Sequence, residues 1–135
     1  MRVVKEQVAV WQEMFARHPF FERLEQEPTQ GPPFAFAPAL MFWIMGFQDV
    51  LRLNESFAND TVVKRWAARH RVEDSEHWSW FLDDLTMLGV TNRDVTFLFG
   101  SAHRATRDAT YGIIAEVYRI TDDRLRVPLI LSLES

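Results

Sequence analysis

The chain has 135 residues, 47% of them hydrophobic, with 11 Phe, 5 Trp and 2 Tyr and a formal net charge of −4. This is core material for one domain and is unlike the composition of a disordered chain. No lysine or arginine run stands out, which argues against nucleic acid or an anionic membrane as partner, and the lack of cysteine excludes disulfides, thiolate metal ligands and a cysteine nucleophile while fitting a reducing cytoplasm.

The N-terminal residues Met1–Glu6 are charged and lack the apolar centre of a signal peptide. From Val3 to about Arg17 the apolar residues Val4, Val8, Trp11 and Phe15 recur on one face of a helix. Pro19 ends or kinks it, because proline lacks an N–H and crowds the residue before it. A short helix follows over Phe20–Glu25. Glu27 to Pro33 contains Gly31 and consecutive prolines and reads as a loop.

Pro38 suits the first turn of the next helix, predicted to run to about Asn54. Its first half, Leu40 to Phe47, is apolar on most sides and belongs in the middle of a bundle. The whole apolar run from Phe34 to Phe47 falls short of the ~18 residues that span a bilayer. Asn59, Asp60 and Thr61 are N-cap candidates for a long central helix ending before Gly89, with a kink near Asp74–Ser75. Thr91–Asn92 caps a short helix through Phe99. Ala102–Ile120 follows, with Ala105, Ala109, Ile113 and Ile120 in its seam. Thr121–Asp123 caps a last helix that includes Val127–Glu134. No period-2 strand pattern occurs, so the expectation is a single all-α domain over residues 1–135, a bundle of five or six helices.

The central helix carries the chemistry. His70 to His77 places two of the chain's four histidines and three carboxylates in eight residues. At about 100° per residue, Trp66, Ala67, His70, Asp74, His77, Phe81 and Leu85 share one stripe. The ionisable groups thus interrupt an apolar seam. His70 and Asp74 are four apart, Asp74 and His77 three apart, so each pair can meet on one helix face. A carboxylate-x-x-His unit facing into a bundle is the ligand arrangement of di-iron and di-manganese carboxylate proteins. Oxygen and imidazole donors suit iron or manganese, and a cation offsets the several kcal/mol that burying a bare carboxylate costs. The plainer alternative is that Asp74 pairs with Arg71 or another arginine and His70 is hydrogen-bonded in the core. Further carboxylates on apolar stripes are Glu134 on the last helix and Glu116 on the one before it, with Glu73 at the stripe's edge. His18 and His103 have no clustered partner. Trp78 and Trp80 are assigned to packing.

The run from His70 to His77, continued by Trp78–Leu85 and Leu88–Gly89, resembles the haem-oxygenase-like di-metal oxidases, a family of iron-containing redox enzymes. His18–Leu24 is similar to that family's opening helix break, and Leu131–Ser135 to its middle ligand helix. The resemblance implies a haem-oxygenase-like bundle with a labile non-haem di-iron site, manganese being the lesser choice, that oxidises a small organic substrate with dioxygen. It implies His77 as the first histidine ligand, Asp74 as a carboxylate ligand one turn before it, His70 where members usually have Glu, and Glu134 as the middle-helix carboxylate. Glu76 stands where members often have Gly. It also implies that this chain matches the first two-thirds of a family domain, with a last ligand helix beyond Ser135 or supplied by another copy in a homo-oligomer. A thiaminase-type relative would need a cysteine, and a haem-degrading one with His18 as axial ligand fits poorly with the break at Pro19. The competing expectation is a non-catalytic helical module that associates through the apolar Val127–Leu133 segment.

Overall fold

A computed structural model describes residues 2–25 and 34–134. Among them there are helices and no strands, as the periodicity requires. The α-helices are α1 (Arg2–Ala16), α2 (Pro19–Glu25), α3 (Met41–Phe57), α4 (Thr61–Glu73), α5 (His77–Met87), α6 (Val95–Phe99), α7 (Arg104–Arg119) and α8 (Arg126–Glu134). Tight 3-10 turns at Ala37–Leu40, Ser101–His103 and Asp123–Leu125 lead into α3, α7 and α8. The predicted Glu27–Pro33 loop lies outside the described residues. No described helix is long and apolar enough to cross a membrane.

Local chemistry sets the boundaries. Asp60 caps α4, its Oδ1 accepting the Val62 and Val63 N–H groups at 2.8 and 3.0 Å, which satisfies donors that a helix start leaves free. Gly89 adopts φ +78°. The Gly89 N–H then reaches the Thr86 carbonyl and the Val90 N–H the Leu85 carbonyl, the paired bonds of a Schellman motif, for which glycine is the favoured residue. The short helix α6 is capped by Asp94, whose Oδ1 accepts from Phe97 N–H at 2.7 Å, and not by Thr91–Asn92. The helix begins only where a side chain can reach forward three residues, and Asp94 is the one in place.

The bundle is built around α3, which packs on α4 along one side and on α7 along another. Val50 and Leu51 of α3, Val117 of α7 and Ile130 of α8 form one buried cluster. Met41 at the start of α3 joins Ala37 and Leu85 in a second. The apolar α8 therefore docks into its own bundle. Close approach of α3 and α7 rests on Gly46, where an added Cβ would stand 2.6 Å from the Thr110 methyl. Thr110 is itself buried, and its hydroxyl donates to the Thr106 carbonyl at 2.8 Å. That bond lets a threonine serve as a core residue. The α7 seam accordingly runs through Thr110, Ile113, Ile114 and Val117, while Ala105 and Ala109, expected inside, are exposed.

The larger difference is in the centre. The stripe from Trp66 to Leu85 reads as one helix, but the structure has two, α4 and α5, separated at Asp74–Glu76. Asp74 takes φ −94°, ψ 2°. Ser75 Oγ donates back to the Val72 carbonyl at 2.9 Å, the local competition with the helix ladder that serine and aspartate side chains offer. The expected kink is thus a complete break, at the expected place.

Candidate metal centre

Asp74 ends α4, His70 lies one turn before it, and Glu134 is the last residue of α8. The fold closes these distant positions on one another. His70 Nε2 lies 2.7 Å from Glu134 Oε1 and 3.2 Å from Asp74 Oδ2. One ligating atom from each of the three residues falls within 4.8 Å of the other two. The His70 and Asp74 side chains are mostly buried, at 13% and 15% exposure, and Glu134 is one-third exposed. Across Asp74, its other oxygen Oδ1 lies 3.6 Å from His77 Nδ1. The Asp74 carboxylate therefore presents one oxygen to the His70–Glu134 pair and the other to His77.

The four residues expected as ligands are brought together, but with different weight. Spacing made Asp74 and His77 the principal pair. In the structure, His70, Asp74 and Glu134 form the tight group, and His77 stands at its rim with its side chain 51% exposed. The break at Asp74–Glu76 accounts for this, since α5 starts afresh at His77 and no longer continues the α4 stripe. Trp80, assigned to packing, is exposed and lies 5.0 Å, ring to ring, from His77.

The arginines near this group are engaged elsewhere. Arg71 Nε donates to Glu55 Oε2 at 2.5 Å, so the Arg71–Asp74 pairing is not what the structure shows. Arg69 donates to Glu73 at 2.7 Å, and that hydrogen bond raises the guanidinium pKa above its ordinary value. Glu116 is exposed and paired with Arg119. Glu73 and Glu116 are therefore surface ion-pair partners. His18 is exposed, and its Nδ1 accepts the Phe20 N–H near the start of α2. His103 is buried against the Phe97 ring at 4.3 Å.

Two further groups hold the geometry. Gln48 of α3 donates its Nε2 to the Asp74 carbonyl at 3.0 Å. Asp123 ties three segments together: its Oδ2 accepts the Asn59 and Asp60 N–H groups at 2.7 and 2.5 Å, and its Oδ1 accepts from Arg126 Nε at 3.0 Å. These bonds, led by the one from Asp60, hold the Asp123 carboxyl below its ordinary pKa. Arg126 is buried and also donates to the Val117 and Ile120 carbonyls. The start of α8 is thereby locked to the start of α4, which sets where Glu134 meets His70. The sequence pointed to Asp123 only as a cap. For Gln48 its one signal was a polar residue where the apolar run of α3 stops.

A cavity of about 430 Å³ opens beside the cluster, lined by Trp43, Ile44, Phe47 and Leu133 and by Gln48, His70, Asp74, His77 and Glu134. Apolar walls with a few convergent polar groups are the usual make-up of a small-molecule site. A smaller cavity, about 380 Å³, touches the other side of His70 and Glu134 at Trp66, Arg69, Glu73 and Leu131. Compared with known proteins, the chain matches no family model, no curated protein and no solved structure.

Proposed function

We propose that His70, Asp74 and Glu134 bind a divalent transition metal, with His77 as a further ligand, and that the protein is a non-haem iron-dependent oxidase or oxygenase of a small organic substrate. The observation that carries this reading is the tight group itself: one imidazole nitrogen and two carboxylate oxygens from α4 and α8, converging beside an apolar cavity. The donor set fits. Two carboxylates match a dipositive charge, and mixed oxygen and imidazole donors suit iron or manganese. His70 Nδ1 is buried without a hydrogen-bond partner, whereas a ligating histidine normally donates its second N–H to an acceptor. The fit is thus good at the donor atoms and incomplete one layer out.

Iron in this position would supply dioxygen activation. The chain's own residues do the rest. Trp43, Ile44, Phe47 and Leu133 would take the apolar part of a substrate and exclude water from its reacting carbon. His77, at the rim and half exposed, would close the ligand set on its solvent side. A two-iron centre, as the family resemblance implies, needs donors beyond these four, from further residues or from a second copy in a homo-oligomer. The absence of cysteine supports a reducing cytoplasm as its setting. The alternative of a non-catalytic association module draws less support, because Ile130, Leu129 and Leu133 are used inside the chain's own bundle.

Anaerobic titration with iron(II), metal analysis after desalting, and dioxygen uptake by the loaded protein test the proposal. Retained iron is expected in the native protein and is expected to be lost in His70→Ala and Glu134→Ala. Retention unchanged in both variants, or none in the native protein, would overturn it.

A further inference from the structure

We infer that Gln48 is a positioning residue that holds the break between α4 and α5 open and thereby aims Asp74 at the cluster; the inference rests on the metal-site reading above for its consequence, though not for its geometry. In an uninterrupted helix the Asp74 carbonyl would accept the N–H of Trp78, four residues on. Here it accepts the His77 N–H at 3.2 Å and the Gln48 side-chain amide at 3.0 Å. Gln48 sits on α3, the best-anchored helix, between Phe47, which packs against the main core, and Asp49. Its amide therefore ties a carbonyl of the turn to the helix around which the bundle is built. The apolar stripe on both sides of the break favours a continuous helix, and Gln48 opposes that continuation.

The consequence falls on Asp74. With its carbonyl pinned and its backbone at φ −94°, ψ 2°, the carboxylate spans His70 on one side and His77 on the other. If the turn wound up into helix, His77 would move onto the α4 stripe and the Asp74 carboxylate would be re-aimed relative to the His70–Glu134 pair. Groups that orient metal ligands typically change metal affinity ten- to a hundred-fold when removed. Gln48 also lines the larger cavity, so its replacement is felt where substrate would lie.

Gln48→Met removes the donor and keeps the length of the side chain. Two readouts separate the inference from the metal reading. The first uses the metal-free protein: backbone and Asp74 carboxyl carbon-13 shifts by NMR. In Gln48→Met, residues 74–76 are expected to shift toward helical values and the Trp78 amide to become protected from exchange. The second is cobalt(II) binding, read by its visible absorption bands. An affinity drop of about ten-fold or more is expected, with altered bands, while Met41→Ala, a variant of lower stability in the other core cluster, keeps the native bands. Unchanged shifts at 74–76 in Gln48→Met overturn the inference whatever the metal does. Changed shifts with unchanged cobalt affinity and bands overturn its link to the site. Failure of the native protein to bind cobalt counts against the metal reading, and the shifts then decide the role of Gln48 in the turn by themselves.

Discussion

Ile130 and Leu131 are neighbours on α8 and share an apolar stripe with Glu134, yet the fold treats them oppositely. Ile130 is fully buried against Val50, Leu51 and Val117, while Leu131 is 52% exposed. Truncating a fully buried isoleucine to alanine removes three carbons from a close-packed cluster and costs about 2–5 kcal/mol. Truncating a half-exposed leucine costs under about 1 kcal/mol. At this chain length one kcal/mol corresponds to roughly 4 °C in Tm, so Ile130→Ala is expected to lower Tm by about 8–20 °C and Leu131→Ala by no more than a few degrees. Thermal unfolding followed by circular dichroism, at fixed protein concentration and without metal, measures both. The site gives a second reading of the same variants. Glu134 is one turn past Ile130, so loosening α8 reduces the fraction of molecules with the ligand group assembled, and apparent metal affinity falls by that fraction. Excess cobalt(II) should then recover part of the Tm lost in Ile130→Ala, because a ligand that binds only the assembled state stabilises it. Equal losses for the two variants, or a larger one for Leu131→Ala, would mean that α8 is docked on another face, and the assembly of the ligand group would go with it.

Gly46→Ala should destabilise the protein by about 1–3 kcal/mol, because the new methyl meets the Thr110 methyl where α3 and α7 touch; adding Thr110→Ser should recover most of the loss in denaturant titrations, and no recovery would place the clash elsewhere. The Asp123 carboxyl is held below its ordinary pKa chiefly by the Asp60 N–H, so its stabilisation is complete above about pH 4 and is lost as pH falls through its lower folded value; in urea titrations from pH 7 to pH 2 the native protein and Asp123→Asn should converge at the acid end, and a constant gap would refute the role of the charge. Glu134→Gln keeps size and removes a charge, and should weaken cobalt(II) binding at least ten-fold with little change in metal-free Tm, whereas His70→Ala should also lower metal-free Tm, because it leaves the Asp74 and Glu134 carboxylates facing each other without the imidazole between them; isothermal titration and thermal scans separate the two effects.

Most of the secondary structure was readable because its causes are local. The pattern of Val8, Trp11 and Phe15, the Asp60 cap and the Gly89 stop each act within a few residues, and the helices follow. The seam of α7 departs from its apolar periodicity for a physical reason. Ala105 and Ala109 are apolar by type and exposed in fact, while Thr110 is polar by type and buried, since its hydroxyl bonds to its own helix and its methyl fits against Gly46. That fit depends on a partner 64 residues away, and periodicity does not contain it.

The same division applies to the candidate centre. Helical spacing alone puts His70, Asp74 and His77 on one apolar stripe and Glu134 on another, because spacing within a segment is a property of the backbone. Which of them converge depends on how the helices pack. Asp123 and Arg126 set the start of α8 against α4, Ile130 fills the core between α3 and α7, and Glu134 then arrives 2.7 Å from His70. The break at Asp74–Glu76, where Gln48 bonds the Asp74 carbonyl, leaves His77 at the rim of the group. Distances between helices are sums of many packing contacts between residues far apart in the chain, whereas spacing along one helix is fixed by bond geometry.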